Sequence, residues 1–193
     1  MRPDSSADST DVSIFLSPDG TPAESHFTGR VITLLVDNSE LDAELTAFAL
    51  RPHPEIDLHH CARVEDAVTR ALLVQPTVIL LDLGLRERTD GLALISQFRS
   101  VKETHDIPII VYSGWNDPRV ISTAFKIGAD DFLGKPADPM ELTARVRYQS
   151  AKFRRHRQRL EMENQLHTSV ELLAATNRAL AESITALKSA GFS

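Results

Sequence analysis

The sequence predicts an α/β protein with a doubly wound, five-stranded parallel sheet, followed by one long C-terminal helix. Between residues 30 and 150, short runs of Val, Ile and Leu alternate with helical patterns. Such runs are typical of parallel strands that helices cover on both faces. Between Pro139 and Gly191 there is no further Pro or Gly, and Ala, Leu, Glu and Arg predominate, which favours an uninterrupted helix.

The predicted strands are buried apolar runs that end at or next to polar residues. They span residues 31–36, 57–61, 77–82, 107–113 and 130–135. Strands of this kind, each followed by a helix within about 120 residues, indicate a flavodoxin-like arrangement.

Helical patterns fill the segments between these strands. The first runs from Ser39 to Leu50, places Leu41, Leu45 and Phe48 on one face, and is ended by the prolines of "RPHP". The others span residues 64–75, 91–100 and 118–128, the last of which begins at a proline and ends at a glycine.

The composition excludes several classes of protein. The 193-residue chain carries a formal net charge of −6, which gives no overall attraction to nucleic acid or to an anionic membrane. Its single cysteine, Cys61, cannot form an intramolecular disulfide, so a reducing, cytoplasmic location is expected. No apolar run approaches the roughly 20 residues of a membrane-spanning helix. The polar, acidic N-terminus does not resemble a signal peptide.

Three segments follow from the composition. Residues 1–29 are rich in Ser, Asp, Thr, Pro and Gly and are predicted to be a disordered tail, with one apolar island at residues 12–16 that could dock on a surface. Residues 30–150 form the predicted α/β domain. Residues 151–193 continue its last helix as a predicted coiled-coil signalling helix.

Charged and polar residues follow the predicted strands at their carboxyl ends, where open parallel sheets bind ligands. Asp37 and Asn38 follow the first strand, Asp82 ends the third, Ser113 ends the fourth and Lys135 ends the fifth. The first and third strands are expected to be neighbours, so Asp37 and Asp82 should lie close together and repel each other. Mg²⁺ is the expected neutraliser, because it suits a site with few carboxylates and retained waters. With a lysine and a hydroxyl group, these residues suit a phosphoryl group carried on a carboxylate.

The order and spacing of five motifs resemble those of the CheY-like receiver domain of two-component response regulators. These motifs are "LLVDN", "VILLDLGL", "DG" at residues 90–91, "IIVYSG" and "GADDFLGKP", and together they span residues 30–150. The resemblance implies a signalling module rather than an enzyme, phosphorylated by a cognate sensor histidine kinase. It assigns Asp82 as the phosphoacceptor, Ser113 and Phe132 as switch residues, and Lys135 as the ion-pair partner of the phosphoryl group. The implied Mg²⁺ ligands are Asp37, Asn38, Asp82 and the backbone carbonyl of Gly84.

Three positions depart from the family pattern. Asn38 stands where the family usually has a second acidic residue, so weaker Mg²⁺ binding is expected, and a pocket that is no longer phosphorylated stays an alternative. The loop after Asp82 carries "RER" in place of the usual proline and tight turn. Trp115 is bulky at a position where relatives tune hydrolysis, so its ring is expected to exclude attacking water.

A leucine recurs every seven residues in the long helix and predicts a zipper. β-branched residues at a, leucine at d and one asparagine at a favour a parallel dimer. Nearly uncharged e and g positions favour a homodimer. The alternative is an amphipathic helix that packs on its own domain. The zipper residues are Leu166, Val170, Leu173, Asn177, Leu180, Ile184 and Leu187.

Other functional classes have weaker support. Basic residues at 152–159 precede the zipper as in bZIP proteins, but the base-reading asparagine and alanine of that family are missing. His59, His60 and Cys61 alternate between the two faces of a strand, which disfavours a shared metal site. No G-x-G-x-x-G follows the first strand, and Gly84 stands where single-Asp phosphatases of similar architecture have a second Asp.

The stretches "DIPIIVYS", "ELTARVRYQS" and "LLAATNRAL" resemble the receiver and linker of Wsp-type diguanylate cyclases, which carry a GGDEF domain. No GGDEF-type catalytic sequence is present in these 193 residues. Three hypotheses therefore remain: a phosphorylated receiver acting through a coiled-coil dimer, the regulatory fragment of a cyclase in cyclic-dinucleotide signalling, and a phosphorylation-independent dimerisation scaffold.

Overall fold

The computed structural model describes residues 29–85 and 90–189, and it confirms the predicted sheet. The strands are β1 Val31–Val36, β2 Ile56–Cys61, β3 Val78–Leu81, β4 Ile109–Ser113 and β5 Asp131–Gly134. All neighbouring strands are parallel, and their order across the sheet is β2-β1-β3-β4-β5. Every residue of the central strand β3 is buried, as expected for a strand that helices cover on both faces.

Helices cover the sheet on both faces. They are α1 Glu40–Leu50, α2 Ala67–Val74, α3 Asp90–Ser100, α4 Pro118–Lys126 and α5 Pro139–Ser189, and a 3₁₀ turn at Val64–Asp66 leads into α2. One hydrophobic core joins the sheet to α2, α3 and α4 through residues such as Ala71, Phe98 and Ala124. A second core, on the other face, joins the sheet to α1 and α5 through residues such as Leu50 and Val146.

The predicted apolar face of α1 is exposed to solvent. Leu41, Leu45 and Phe48 are 65%, 58% and 71% exposed, whereas the buried positions of the helix are Ala43, Thr46 and Leu50. The small side chains at 43 and 46 are the ones that α1 buries, so its larger apolar side chains point outward. The sequence located the helix but not the face that packs on the sheet.

Gly91 lets α3 begin directly against the end of β3. A Cβ atom at this position would lie 2.7 Å from the Cα of Leu83 and 3.0 Å from the carbonyl oxygen of Asp82. Real Cβ atoms do not approach backbone so closely, so a larger residue would displace the segment that carries Asp82. This steric constraint accounts for the glycine of the "DG" motif.

The first turns of α5 are anchored on the sheet. Leu142 and Val146 are buried in the core, and the Ser150 hydroxyl lies 2.7 Å from Oγ1 of Thr77. Arg147 donates from Nε to Oε1 of Glu55 over 2.9 Å, and its Nη2 lies 3.0 Å from Nδ1 of His53. These contacts fix the direction in which the helix leaves the domain.

Farther along, α5 leaves the domain. Every residue from Arg157 to Ala186 is exposed, and the helix has 51 residues, as the absence of Pro and Gly predicts. Among the described residues, no helix combines the length and apolar character needed to cross a bilayer.

Replacing Arg147 with Gln is expected to lower the free energy of unfolding by about 1 kcal/mol at neutral pH, because Glu55 loses a charge-assisted hydrogen bond. That hydrogen bond, opposed by partial burial, lowers the pKa of Glu55 below its ordinary 4.5. A carboxyl group whose pKa is lowered on folding stabilises the protein above its ordinary pKa, and this stabilisation disappears as the pH falls through the lowered value.

Urea unfolding over a pH series measures this contribution. The difference between wild type and Arg147→Gln should shrink as the pH falls through 4.5 and below. Arg155→Gln, at an exposed position of the same helix, should match the wild type throughout. A difference that stays constant into acid would contradict the assignment.

Candidate functional site

The strand register brings the predicted site residues together at the carboxyl edge of the sheet. Val36 of β1 pairs with Leu81 of β3, so the next residues, Asp37 and Asp82, leave the sheet side by side. Ser113 of β4 pairs with Gly134 of β5, and the backbone N–H of Lys135 donates to the Ser113 carbonyl over 3.0 Å. Four residues from distant parts of the chain therefore surround one point.

Lys135 lies at the centre of this group. Its Nζ donates a hydrogen bond to Oδ2 of Asp37, and lies 2.9 Å from Oδ2 of Asp42 and 3.4 Å from Oδ2 of Asp82. The ammonium group also lies 5.2 Å from the centre of the Tyr112 ring, within the range of a cation–π contact. Only 12% of the lysine side chain is exposed.

The charge of Lys135 is maintained by its neighbours. Burial, the largest single influence, lowers the pKa of the lysine, but hydrogen bonds to Asp37 and Asp42 and the charge of Asp82 outweigh it. The pKa of Lys135 therefore lies above its ordinary value of 10.5, and the side chain is a cation at physiological pH.

The carboxylates are held by short local hydrogen bonds. Asp37 is fully buried, and its Oδ1 accepts from the N–H of Ser39 over 2.8 Å. Nε2 of His60 lies 2.7 Å from the Asp37 carbonyl oxygen. Asp82 is 8% exposed, and its Oδ1 accepts from the N–H of Gly84 over 3.0 Å. In each carboxylate, a backbone hydrogen bond to Oδ1 therefore sets the orientation of the side chain and leaves Oδ2 to face Lys135.

The donor set suits a divalent, oxygen-preferring cation. Asp37, Asp42 and Asp82 each offer a carboxylate oxygen, and these atoms all lie within 4.8 Å of one another. Three carboxylates face one ammonium group, so the cluster has an excess of negative charge that such a cation would neutralise. Mg²⁺ prefers oxygen ligands of this type and usually retains several water ligands. The Asp42 side chain is partly exposed, so the cluster is open to solvent on that side.

Asp42 is the site residue that sequence reasoning missed. It lies on α1, four residues after Asn38, and Asn38 itself is exposed. The sequence did contain a signal for Asp42. Ser39 is the N-cap of α1 and Asp42 is the third helical residue, so its side chain lies near the helix N-terminus and hence near the strand ends. That Asn38 binds Mg²⁺ stays a prediction.

The remaining predicted site residues lie around this cluster. Ser113 is 1% exposed, and its Oγ accepts from the N–H of Trp115 over 3.3 Å. Phe132 is partly buried against the core that faces α2, α3 and α4. A Cβ atom on Gly84 would lie 3.2 Å from Oδ2 of Asp82, so this glycine permits a close approach of backbone to the carboxylate. The "RER" segment lies outside the described residues.

An apolar groove of about 830 Å³ opens beside Asp82. Its walls include Leu45 and Phe48 of α1, Trp115 after β4, and Pro136 after β5. The exposed face of α1 is therefore one wall of the site.

The zipper residues lie far along α5 and do not contribute to this cluster. Leu166, Val170, Leu173, Leu180 and Ile184 are 45% to 66% exposed. Asn177 is also exposed, and the side chain of Leu187 lies outside the described residues.

Two curated relatives share part of the sequence. The transcriptional regulatory protein KdpE of Staphylococcus aureus is 40% identical over 95 residues, which cover 48% of this chain and 39% of that protein. The response regulator PleD of Caulobacter vibrioides is 30% identical over 146 residues, which cover 75% of this chain and 30% of that protein. The chain thus spans less than half the length of either relative.

Solved structures share the fold. A putative response regulator from Chloroflexus aurantiacus superposes with a TM-score of 0.58 at 28% identity, over 63% of this chain and 98% of that one. The receiver domain of a signal transduction histidine kinase from Syntrophus aciditrophicus superposes with a TM-score of 0.56 at 27% identity, over 63% and 91%.

A family model described as the response regulator receiver domain matches residues 33–147, more than half of the chain. This segment contains β2 to β5, all of β1 except its first two residues, the three carboxylates and Lys135. Receiver domains of this family are signalling modules that bind Mg²⁺ in an acidic pocket and interact with sensor histidine kinases. The sequence match, the sheet topology and the acidic cluster agree, and the chain belongs to the response regulator receiver family of two-component systems.

Proposed function

We propose that Asp82 accepts a phosphoryl group from the phosphohistidine of a sensor histidine kinase. The observation that carries this proposal is the position of Asp82, whose Oδ2 lies 3.4 Å from Nζ of Lys135 and next to two further carboxylates. An isolated aspartate after a strand is usually a cap or a loop anchor. Asp82 also accepts a local hydrogen bond from the N–H of Gly84, but it shares its position with a buried lysine and two further carboxylates, which a cap or loop anchor does not require.

The transfer is a nucleophilic displacement at phosphorus. A carboxylate oxygen of Asp82 forms the new P–O bond, and the P–N bond to the kinase histidine breaks, leaving the electron pair on the imidazole. Mg²⁺, held by Asp37 and Asp82 with further oxygen ligands, would neutralise charge on the phosphoryl oxygens. Lys135 supplies a fixed positive charge at the same place, and the Ser113 hydroxyl is a hydrogen-bond donor for a phosphoryl oxygen.

The signal would leave the domain through α5. In the family pattern, Ser113 and Phe132 move toward the phosphoryl group. Phe132 lies on β5, which directly precedes α5, and the exposed heptad stripe of α5 suits a parallel coiled-coil homodimer. Phosphorylation would then alter the dimer or the register of its coiled coil. A cytoplasmic location, no membrane association and no direct contact with nucleic acid are part of this proposal.

A second candidate is the regulatory fragment of a diguanylate cyclase. Its support is the resemblance of the linker sequence and the continuity of α5 with the domain. The alignment with PleD covers 75% of this chain, more than residues 33–147 do. A phosphorylation-independent dimerisation scaffold is the third candidate, and the labelling experiment below separates it from the first.

Asp82→Asn is expected to abolish labelling by a small phosphodonor such as acetyl phosphate in the presence of Mg²⁺, because the amide is not a nucleophile. Wild type should incorporate label that is lost in hydroxylamine, as an acyl phosphate is. Asp106→Asn, at an exposed carboxylate outside the site, should label like wild type. An unlabelled wild type, or a labelled Asp82→Asn, would contradict phosphorylation of Asp82.

Trp115→Ala is expected to shorten the lifetime of the phosphorylated form several-fold, since the indole ring lines the groove beside Asp82 and limits access of water. Loss of radiolabel after removal of the donor measures this rate. Phe125→Ala, at a half-exposed aromatic on α4 outside the groove, is the control. Equal lifetimes for Trp115→Ala and wild type would remove this role for the ring.

Leu173→Glu combined with Leu180→Glu is expected to give monomers in sedimentation experiments, because two charges would enter the apolar seam of the coiled coil. Leu172→Glu is the matched control: Leu172 is 68% exposed, close to the 63% of Leu173, but lies outside the heptad stripe. It should leave the dimer intact. A wild type that sediments as a monomer at all concentrations would exclude the coiled coil.

A further inference from the structure

We propose that Asp42 is a Mg²⁺ ligand of this receiver and replaces the carboxylate that Asn38 lacks. The inference rests on the proposed function, because it concerns the cation that would assist phosphorylation of Asp82. It moves the second acidic ligand from the loop after β1 to the first turn of α1.

The geometry places the Asp42 carboxylate inside the cluster. Its ligand oxygen lies within 4.8 Å of those of Asp37 and Asp82, which is compatible with three ligands on one cation. Its Oδ2 is also 2.9 Å from Nζ of Lys135, so this carboxylate already interacts with one positive charge, the ammonium group of the lysine. Asn38, in contrast, is exposed.

Local hydrogen bonds link Asp42 to Asp37. The N–H of Ser39 donates to Oδ1 of Asp37, and Oγ of Ser39 accepts from the N–H of Asp42 over 3.2 Å. Thr46, which is buried, donates from Oγ1 to the carbonyl oxygen of Asp42 over 2.7 Å. These hydrogen bonds tie the first turn of α1, which carries the Asp42 side chain, to the Asp37 carboxylate at the end of β1.

The position also suits the chemistry of Mg²⁺. The Asp42 side chain is 36% exposed, so a cation bound there keeps access to solvent for its remaining water ligands. Asp37 is fully buried and Asp82 is 8% exposed, so neither provides that access.

Lys135 and Mg²⁺ would compete for the same oxygen atoms. Nζ of Lys135 contacts all three carboxylates, so a cation that binds Asp42 and Asp37 would weaken the hold of these residues on the lysine. The ammonium group would then be available to a phosphoryl group on Asp82. In this arrangement Asp42 connects occupation of the metal site to the freedom of Lys135.

Titration of the full chain with MgCl₂ tests the inference, with the fluorescence of Trp115, the only tryptophan, as the readout and calorimetry as a second measurement. Asp42→Asn is expected to weaken Mg²⁺ binding about tenfold or more, the scale of loss seen when metal-site partners are removed. Glu40→Gln is the matched control, since Glu40 is an exposed acidic residue in the same helical turn. It should bind Mg²⁺ within twofold of wild type.

The double variant Asn38→Asp with Asp42→Asn restores a carboxylate at the family position and should recover most of the affinity. Should Asp42→Asn fold poorly by circular dichroism, Asp42→Ser provides the same test, because serine is also accepted in a first helical turn. If either Asp42 variant bound Mg²⁺ with wild-type affinity, the role of Asp42 would be overturned, but the proposed phosphorylation of Asp82 would not. A wild type that gives no Mg²⁺ signal by fluorescence or calorimetry would overturn both the inference and the metal-assisted part of the proposed function.

Discussion

The contact of one lysine with three carboxylates at the edge of the sheet is the interaction on which the site depends. Lys135 arrives from β5, Asp37 from β1, Asp82 from β3 and Asp42 from α1, so four separate elements meet through one ammonium group. Without that positive charge, three ionised groups within 4.8 Å would repel one another strongly in a largely buried place. The positive charge of Lys135 offsets part of this repulsion, so the fold can hold the three carboxylates at one edge of the sheet.

The backbone makes that concentration possible before any side chain is considered. Pairing of Val36 with Leu81 sets Asp37 beside Asp82, and pairing of Ser113 with Gly134 sets Lys135 opposite them. A shift of register by one residue would turn these side chains toward the opposite face of the sheet. The apolar runs of β1, β3 and β4 oppose such a shift because they are buried almost throughout. The hydrophobic core therefore determines the geometry of a polar site that it does not include.

Much of this could be predicted from the sequence, for identifiable physical reasons. Continuous Val, Ile and Leu runs indicated the parallel strands, and the residues that follow them were brought together because parallel strands end at one edge. Asp42 was missed because the prediction considered only the residues that follow the strands, whereas Asp42 lies in the first turn of a helix. The N-cap residue Ser39 indicated where that helix starts. The outward face of α1 was also missed, since periodicity shows that Leu41, Leu45 and Phe48 share a face but not whether small residues elsewhere pack more closely. A sequence pattern does not show how helices and strands pack against one another. The position of Asp42 and the outward face of α1 both depend on that packing.

The continuity of α5 has a mechanical consequence. Its base is pinned by Leu142, Val146 and Arg147, and the stretch from Arg157 to Ala186 extends about 45 Å at the helical rise of 1.5 Å per residue. From the pinned Arg147 to Ala186 the helix measures about 58 Å at the same rise, so a tilt of about 5° at the pinned end displaces the far end by about 5 Å. Rearrangements near Asp82 that are too small to disturb the packed interior would thus reach the tip as displacements comparable to the width of a side chain.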